Sequence, residues 1–159
     1  MQPDVNEDAF DTFVRVDCQR LRQVISAQYG VDIGAEATDA ALAWAWEHWD
    51  RLRQMDNSTG YLYRVAQTRA RRAIARGRQV TFPPEPPRDL DSSARVDGDL
   101  ADALHQLPER QRLAVVMVHV YGWTPNEVGA LTGIPAVTVR SHLRRGLRQL
   151  RISLSKGHT

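Results

Sequence analysis

Arginines carry the most specific chemistry in this sequence, and they are concentrated in two stretches of the chain. Twenty of the 21 basic residues are arginine, and Lys156 is the exception. Residues 61–82 hold six arginines and no acid, and residues 110–159 hold eight basic residues against Glu127. A guanidinium forks onto phosphate or guanine, which an ammonium cannot do. Two basic blocks separated by acidic segments indicate two contacts with a polyanion, although solvated helix faces or a biased genome composition would give similar runs.

Other site chemistries find little support. The histidines are scattered and have no partners at zinc-ligand spacing: His48, His105, His119, His142 and His158. Cys18 is the only cysteine, which excludes an intrachain disulfide and fits a reducing compartment. No phosphate-binding glycine-rich loop occurs. We therefore expect no enzymatic activity, no metal and no cofactor.

The second basic block has the features of a helix that enters a DNA groove. A recognition helix places side chains from its N-terminal part against base edges in the major groove. Thr138, Arg140, Ser141 and Arg144 lie early enough to reach bases. Later arginines would meet phosphate, which adds affinity without sequence information: Arg145, Arg148 and Arg151. A plain helical hairpin with a basic outer face is the alternative interpretation.

The first basic block combines arginines with aromatic rings. Tyr61 and Tyr63 flank Leu62 and precede Arg64. Single-stranded bases stack on such rings for about 1–3 kcal/mol each while arginines hold phosphate. The preceding loop, residues 54–58, is where we expect a pocket for an unpaired base. Core packing is the alternative for at least one of the two tyrosines. We expect Trp44, Trp46 and Trp49 to lie in the core or to face a partner rather than to stack on nucleotides.

The elements that carry these residues are predicted to be helices throughout. Residues 79–98 contain four prolines and no apolar period, so we interpret them as a linker between a domain at 7–78 and a domain at 99–155. The first domain is predicted to be a three-helix bundle, with helices near 7–28, 35–55 and 58–78. The predicted fold is therefore all-α, with two small helical domains joined by a Pro-rich linker.

The second domain is predicted to have four helices and a helix-turn-helix. Thr124 and Glu127 form a capping-box pattern, with Thr124 at the cap, Glu127 three residues later and Pro125 in the first turn. Gly129 allows a close helix crossing, and Gly133 tolerates the positive φ that the turn needs. The predicted core side of the motif is apolar: Val128, Leu131, Ile134, Val139 and Leu143.

These motifs resemble those of extracytoplasmic-function sigma factors. The segment ALHQLPERQRLAVVMVHVYGWTPNEVGALTGIPAVTVRSHLRRGLRQL resembles their region 4, with Thr138-Val139-Arg140-Ser141-His142-Leu143 in place of the recognition motif. The segment NSTGYLYRVAQTRARRAIARGR resembles the end of region 2. Together the resemblance covers about residues 8–78 and 99–154. Response regulators carry relatives of the region 4 motif.

The resemblance implies a promoter-specificity factor that binds core RNA polymerase and promoter DNA. Region 4 would read the minus-35 element through residues in the last helix: Thr138, Arg140, Ser141, Arg144, Arg145 and Arg148. Region 2 would read and melt the minus-10 element through a second set: Asn57, Tyr61, Tyr63, Arg64, Arg69, Arg71, Arg72 and Arg76. An anti-sigma protein is a further partner that the family suggests.

Polymerase contact is implied for three acids on the second predicted helix. They are Glu36, Asp39 and Glu47, within a segment that departs from the usual acidic-Gln-Glu pattern. The acidic N-terminus lacks a signal-peptide pattern and no apolar run could span a bilayer, so we expect a cytoplasmic protein without membrane insertion. Two other functions remain open: a stand-alone helix-turn-helix regulator, and a degenerate sigma-like module that binds only protein.

Overall fold

The computed structural model describes residues 5–78 and 98–157, and within them every regular element is a helix. These two described segments contain eight α-helices, one of which continues into a π-helical turn. This confirms the all-α fold. The predicted linker lies outside the described residues, except for Gly98, which begins a helix.

The N-terminal helical group, residues 5–78, is built from four helices: α1 (Val5–Tyr29), α2 (Val31–Glu47), the single turn α3 (Trp49–Leu52) and α4 (Ser58–Ala75). The second helix starts earlier than predicted, because Gly30 at φ 95° permits a sharp turn directly after α1. It also ends earlier, at His48, where the backbone leaves the helix before α3 begins. The predicted helix over 35–55 is thus two helices.

Small residues let the first three long helices pack closely. Ala37, Ala41 and Ala45 are buried on α2, and Ala66 and Ala70 are buried on α4. Gly34 allows the closest approach, since a Cβ atom there would lie 2.3 Å from the Ser26 hydroxyl oxygen on α1. The core between these helices is filled by larger side chains: Leu21, Val24, Ile25, Ile33, Leu52 and Leu62.

The C-terminal helical group, residues 98–157, contains α5 (Gly98–Gln106), α6 (Glu109–Val115), the π-helical turn Val116–Val120, α7 (Pro125–Thr132) and α8 (Ala136–Lys156). Helix α8 packs against α5, α6 and α7. Gly146 permits the α6–α8 contact, because a Cβ atom there would lie 2.7 Å from Val115 Cγ2 and 3.2 Å from the Gln111 carbonyl oxygen.

The two helical groups are packed against each other. Helix α1 contacts α6 and the π-helical turn, and α4 contacts α7. No helix in the described part of the chain is long and apolar enough to cross a lipid bilayer.

Candidate nucleic-acid interface

The helix-turn-helix consists of α7, a three-residue turn and α8. The predicted capping box is present at the start of α7: the Glu127 amide donates to Thr124 Oγ1 at 3.1 Å, and the Thr124 amide donates to Glu127 Oε2 at 3.2 Å. Helix α7 ends at Gly133 in the left-handed conformation, with φ 79°. The turn therefore has the geometry that the sequence predicted.

Gly129 lies where the turn closes on α7. A Cβ atom at this position would lie 2.6 Å from the Ile134 carbonyl oxygen, which is far inside van der Waals contact. Val128, Leu131 and Val139 are buried between the two helices, while Ile134 and Leu143 are partly buried against them. This packing fixes the angle at which α8 leaves the motif.

Helix α8 presents its arginines to solvent. Four of the six residues predicted for minus-35 recognition are exposed: Arg140, Arg144, Arg145 and Arg148. Thr138 and Ser141 lie beside them and are half-buried. Arg140 NH2 lies 3.5 Å from Asn126 Oδ1, at the outer limit of a hydrogen bond, so its guanidinium is oriented across the face of α7 without being buried. The face is basic and accessible along its length.

His142 faces inward from the same helix. Both ring nitrogens are shielded from solvent, and neither has a hydrogen-bond partner among the described residues. Partial burial lowers the pKa of His142, and the nearby positive charges of Arg110 and Arg145 lower it further. The imidazole is therefore neutral at pH 7.

The arginines of α4 fall on two sides of that helix. Arg69, Arg72 and Arg76 line a groove of about 420 Å³ between α2 and α4. Arg64 and Arg71 instead point toward the C-terminal helical group, where Arg64 lines a cavity shared with α7 and Arg71 pairs with Glu109. The arginines predicted for minus-10 recognition thus lie on two sides of α4 and are exposed on both.

Asn57, Tyr61 and Tyr63 have different surroundings. Asn57 caps α4, its side-chain oxygen accepting from the Gly60 amide at 2.9 Å. Tyr61 is half-buried, with its ring centroid 5.3 Å from that of Trp44. Tyr63 is only 4% exposed and belongs to the core, which is the alternative that the sequence analysis gave for one of the two tyrosines. Burial raises the pKa of Tyr63 to about 12, so its hydroxyl stays protonated.

The tryptophans of α2 and α3 also differ in their surroundings. Trp44 stacks on His48, with ring centroids 4.3 Å apart, and Trp49 packs against Phe10 and Phe13. Trp46 is 53% exposed, so core packing does not account for it.

The three acids predicted for polymerase contact lie on the exposed side of α2. Glu36 forms an ion pair with Arg78, and Asp39 accepts from Arg22 NH2 at 3.0 Å. Glu47 is exposed at the C-terminal end of the helix. All three carboxylates are reachable from solvent.

A set of polar contacts between the two helical groups escaped the sequence analysis. We call it the polar clasp and define it as Gln28, Tyr29, Arg71, Glu109 and Arg112. Glu109 Oε1 accepts from the Tyr29 hydroxyl at 2.7 Å, from Gln28 Nε2 at 3.2 Å and from Arg71 NH2 at 3.3 Å. These five residues are up to 84 positions apart, so no local pattern could have connected them.

Arg112 is the most buried charged residue of the clasp, at 9% exposed. Its NH2 group donates to the Gln28 carbonyl at 2.6 Å, and its NH1 group donates to the carbonyls of Leu107 and His105 at 3.1 and 3.2 Å. Burial lowers the pKa of Arg112, and the charge of Glu109 opposes that shift. A charged group this buried persists because acceptors surround it. The one sequence signal was an arginine directly before the apolar run 113–118.

Comparison with known proteins finds a family match within the C-terminal part of the chain. Residues 97–150 match the family described as sigma-70, region 4. Over 70 residues the chain is 40% identical to the ECF RNA polymerase sigma factor SigE of Mycolicibacterium smegmatis, covering 44% of this chain and 27% of that protein. Over 99 residues it is 35% identical to the RNA polymerase sigma factor CarQ of Myxococcus xanthus, covering 57% of each. The chain thus spans little more than half, or less, of the curated relatives it matches.

The fold is also found among solved structures. One chain of the co-crystal structure of the sigma factor RpoE with the anti-sigma factor NepR from Bartonella quintana superposes with a TM-score of 0.61. The match covers 93% of this chain and 98% of that chain, at 20% sequence identity. The solved structure shows the shared fold, and the resemblance to extracytoplasmic-function sigma factors that the motifs predicted is confirmed by the region 4 match and by the similarity to SigE.

Proposed function

Because residues 97–150 belong to the sigma-70 region 4 family and the chain is similar to extracytoplasmic-function sigma factors, we propose that it is a promoter-specificity factor for RNA polymerase. In this function it binds core polymerase, directs it to promoters and supports initiation. The observation that carries the proposal is the helix-turn-helix, whose second helix is exposed and basic. The protein acts in the cytoplasm, where its polymerase and DNA are found.

Helix α8 reads the minus-35 element in the major groove. Arg140 and Arg144 are exposed on the first half of the helix, where side chains reach base edges. Bidentate contact of a guanidinium with guanine discriminates by about 1–3 kcal/mol. Arg145 and Arg148 follow and bind phosphate, which sets the position of the helix on the duplex.

The N-terminal group binds the minus-10 element. Arg69, Arg72 and Arg76 provide positive charge along the groove beside α4, and Tyr61 offers a partly exposed ring near the Asn57 cap. This combination suits a single strand, whose phosphates need cations and whose bases need aromatic surfaces. Because Tyr63 is in the core, its contribution is to hold α4 in place.

Core polymerase binds the acidic side of α2. Glu36, Asp39 and Glu47 form an accessible row on this side. Glu36 pairs with Arg78 and Asp39 pairs with Arg22, and basic groups on the polymerase replace these two arginines when it binds. Exposed ion pairs of this kind contribute about 0–1 kcal/mol, so the exchange costs little.

Run-off transcription tests the proposal most directly. The purified chain is mixed with core polymerase and a genomic fragment library, and initiation at a defined set of promoters is expected. The double variant Arg140→Ala/Arg144→Ala is the matched control and should lose that selectivity. A stand-alone regulator would instead protect DNA from cleavage by itself and give no initiation, which would overturn the proposal.

Melting is tested separately with permanganate, which reacts with unpaired thymines. Replacing Arg72 and Arg76 by alanine should reduce bubble reactivity while leaving protection of the upstream element intact. Arg15→Ala removes an exposed arginine of α1 that has no assigned role and serves as the control. A normal bubble in the Arg72/Arg76 variant would contradict the assignment of the groove to the minus-10 strand.

A further inference from the structure

One apolar side chain stands on the exposed face of the recognition helix. Val137 lies in the first turn of α8 and is 70% exposed, which makes it the most exposed large apolar residue of the C-terminal group. Val139 and Leu143 lie on the other side of the helix and pack against the core. Packing within the helix-turn-helix therefore does not account for an apolar residue at position 137.

Val137 lies in line with residues that the proposed function assigns to DNA. Positions three, four and seven residues apart share one face of a helix. Val137 therefore shares its face with three residues: Arg140, Ser141 and Arg144. Arg148 continues this line one turn later. Because the N-terminal residues of a recognition helix are those that reach base edges, the leading side chain of this line is apolar.

The two residues before Val137 are apolar as well. Pro135 is the N-cap of α8 and makes no side-chain cap hydrogen bond, and Ala136 is the first residue of the helix. A base pair that faces this turn therefore meets side chains that neither donate nor accept hydrogen bonds.

Thymine is the base that such a surface recognises. Every base pair presents hydrogen-bonding atoms in the major groove, but the thymine C5-methyl group is apolar. The methyl groups of a valine bury that methyl group from water. A guanine or cytosine edge in the same place would lose its water without gaining a hydrogen bond. Val137 thus favours a pair that contains thymine and disfavours a G·C pair.

We propose that Val137 is a specificity-determining residue, whose side chain contacts the C5-methyl group of one thymine in the upstream promoter element. The inference rests on the proposed function, because it assumes that α8 enters the major groove of that element. The contact adds to the hydrogen bonds through which Arg140 and Arg144 select guanine. The recognised sequence therefore includes a thymine in addition to guanines.

Selection from a random pool locates this thymine. The chain, bound to core polymerase, selects duplexes with a randomised upstream element from one pool made with thymine and another made with uracil, which lacks the C5-methyl group. The parent should enrich thymine at one position of the first pool and lose that enrichment in the second. Val137→Ala should lose the same position in the thymine pool and keep the others. Identical preferences of the parent and Val137→Ala at every position would overturn the proposal.

A cycle of methyl deletions measures the contact itself. Methyl groups are removed from the protein by Val137→Ala and from the DNA by one deoxyuridine at the selected position, singly and together, and affinity is measured by fluorescence anisotropy. In the parent the deoxyuridine should weaken binding about fourfold, which corresponds to about 0.8 kcal/mol for one methyl-sized group. In Val137→Ala it should have almost no effect, because the two groups are then no longer in contact. Equal losses in both proteins would contradict the contact.

Two variants serve as controls. Val16→Ala makes the same deletion at a 60% exposed position of α1 and should keep the fourfold ratio. Arg148→Ala should weaken binding to both duplexes and leave their ratio unchanged, because a phosphate contact carries no sequence information. Circular dichroism confirms that each variant is folded. Val137→Thr keeps one γ-methyl group and should give an intermediate ratio, so it provides the test if Val137→Ala does not fold.

The outcomes separate this inference from the proposed function. If the parent selects a sequence and the Val137 variants select the same one, the contact is wrong while promoter reading by α8 stands. If Val137→Ala lowers initiation but keeps every base preference, the residue contacts polymerase rather than DNA, and the inference is overturned. If the parent selects no sequence, promoter reading by α8 fails and the inference fails with it.

Discussion

Arg112, Arg71 and Arg144 are the same residue type in three different surroundings. Arg112 is buried and donates to backbone carbonyls, Arg71 is half-exposed and pairs with one carboxylate, and Arg144 is open to solvent. Only the last is free to meet DNA without first losing a protein contact. Counting arginines along the sequence therefore overstates the number that can bind nucleic acid without losing a contact within the protein.

Substitution of the exposed arginines should separate base reading from phosphate binding. Arg140→Ala and Arg144→Ala are expected to reduce discrimination among upstream sequences by about 1–3 kcal/mol. Arg148→Ala should weaken binding to all duplexes equally. It should also reduce the slope of log binding constant against log salt concentration by about one. Competition binding with a randomised upstream element measures both. Unchanged preference in both Arg140→Ala and Arg144→Ala would contradict the assignment of the recognition helix.

His142 should give the C-terminal group a pH-dependent stability. Its folded-state pKa lies below the unfolded value, so the unfolded chain binds more protons as the solution becomes acidic. The free energy of unfolding should therefore fall as pH drops through about 6.5, the ordinary pKa of histidine. Urea denaturation at pH 7.5 and at pH 5.5 measures the difference. His142→Gln should flatten this part of the profile, and an equal loss in the variant would show that other groups cause it.

At the scale of elements, the helix-turn-helix depends on how closely α8 crosses the end of α7. Gly129 permits that approach because the Ile134 carbonyl oxygen occupies the place of a side chain. The Gly133 turn supplies the left-handed residue, and the capping box satisfies amides at the start of α7. The close crossing, the turn and the cap each depend on a few neighbouring residues, so each could be predicted from the sequence.

Gly129→Ala should destabilise the helix-turn-helix, although alanine has a higher helix propensity than glycine. Alanine favours a helix interior over glycine by about 1 kcal/mol, yet its Cβ atom would meet the Ile134 oxygen at 2.6 Å. We expect a net loss of stability and a weaker, less selective DNA complex. Thermal unfolding and duplex binding measure the two effects. Ala130→Ser, on the exposed side of the same helix, is the control, and a stabilised Gly129→Ala protein with normal binding would refute the close crossing.

The elements also show where sequence reasoning stops. Periodicity, caps and turn residues predicted four helices and the helix-turn-helix of the C-terminal group, because these signals act over a few positions. The break at His48 was missed, since Leu42, Trp46 and Trp49 continue a helical spacing through it.

At the scale of the whole molecule, two small helical groups behave as one packed body. Trp123 contributes to this beside the polar clasp: its Nε1 donates to Gln23 Oε1 at 3.0 Å, and the Arg20 guanidinium lies 4.8 Å from its ring centroid. Contacts of this kind join positions about 100 apart. Nothing in local composition marks them, which explains why the motifs could be predicted and their mutual arrangement could not.

Trp123→Ala should uncouple the two groups. The tryptophan is 9% exposed, so its removal takes away apolar contact as well as a hydrogen bond. We expect the single unfolding transition of the parent to separate into two, because the groups then unfold independently. Differential scanning calorimetry measures this, with the exposed Trp46→Ala as the control. A single sharp transition in the Trp123 variant would contradict coupling through this contact.

Arg112 reaches its hydrogen-bond acceptor only late in the synthesis of the chain. Its acceptor, the Gln28 carbonyl, is translated 84 residues earlier, so the end of α1 stays hydrated on the ribosome until α6 has emerged. Helices near the N-terminus fold first as a chain is made. A chain truncated before α6 therefore lacks this donor, and the carbonyl at the end of α1 stays in contact with water.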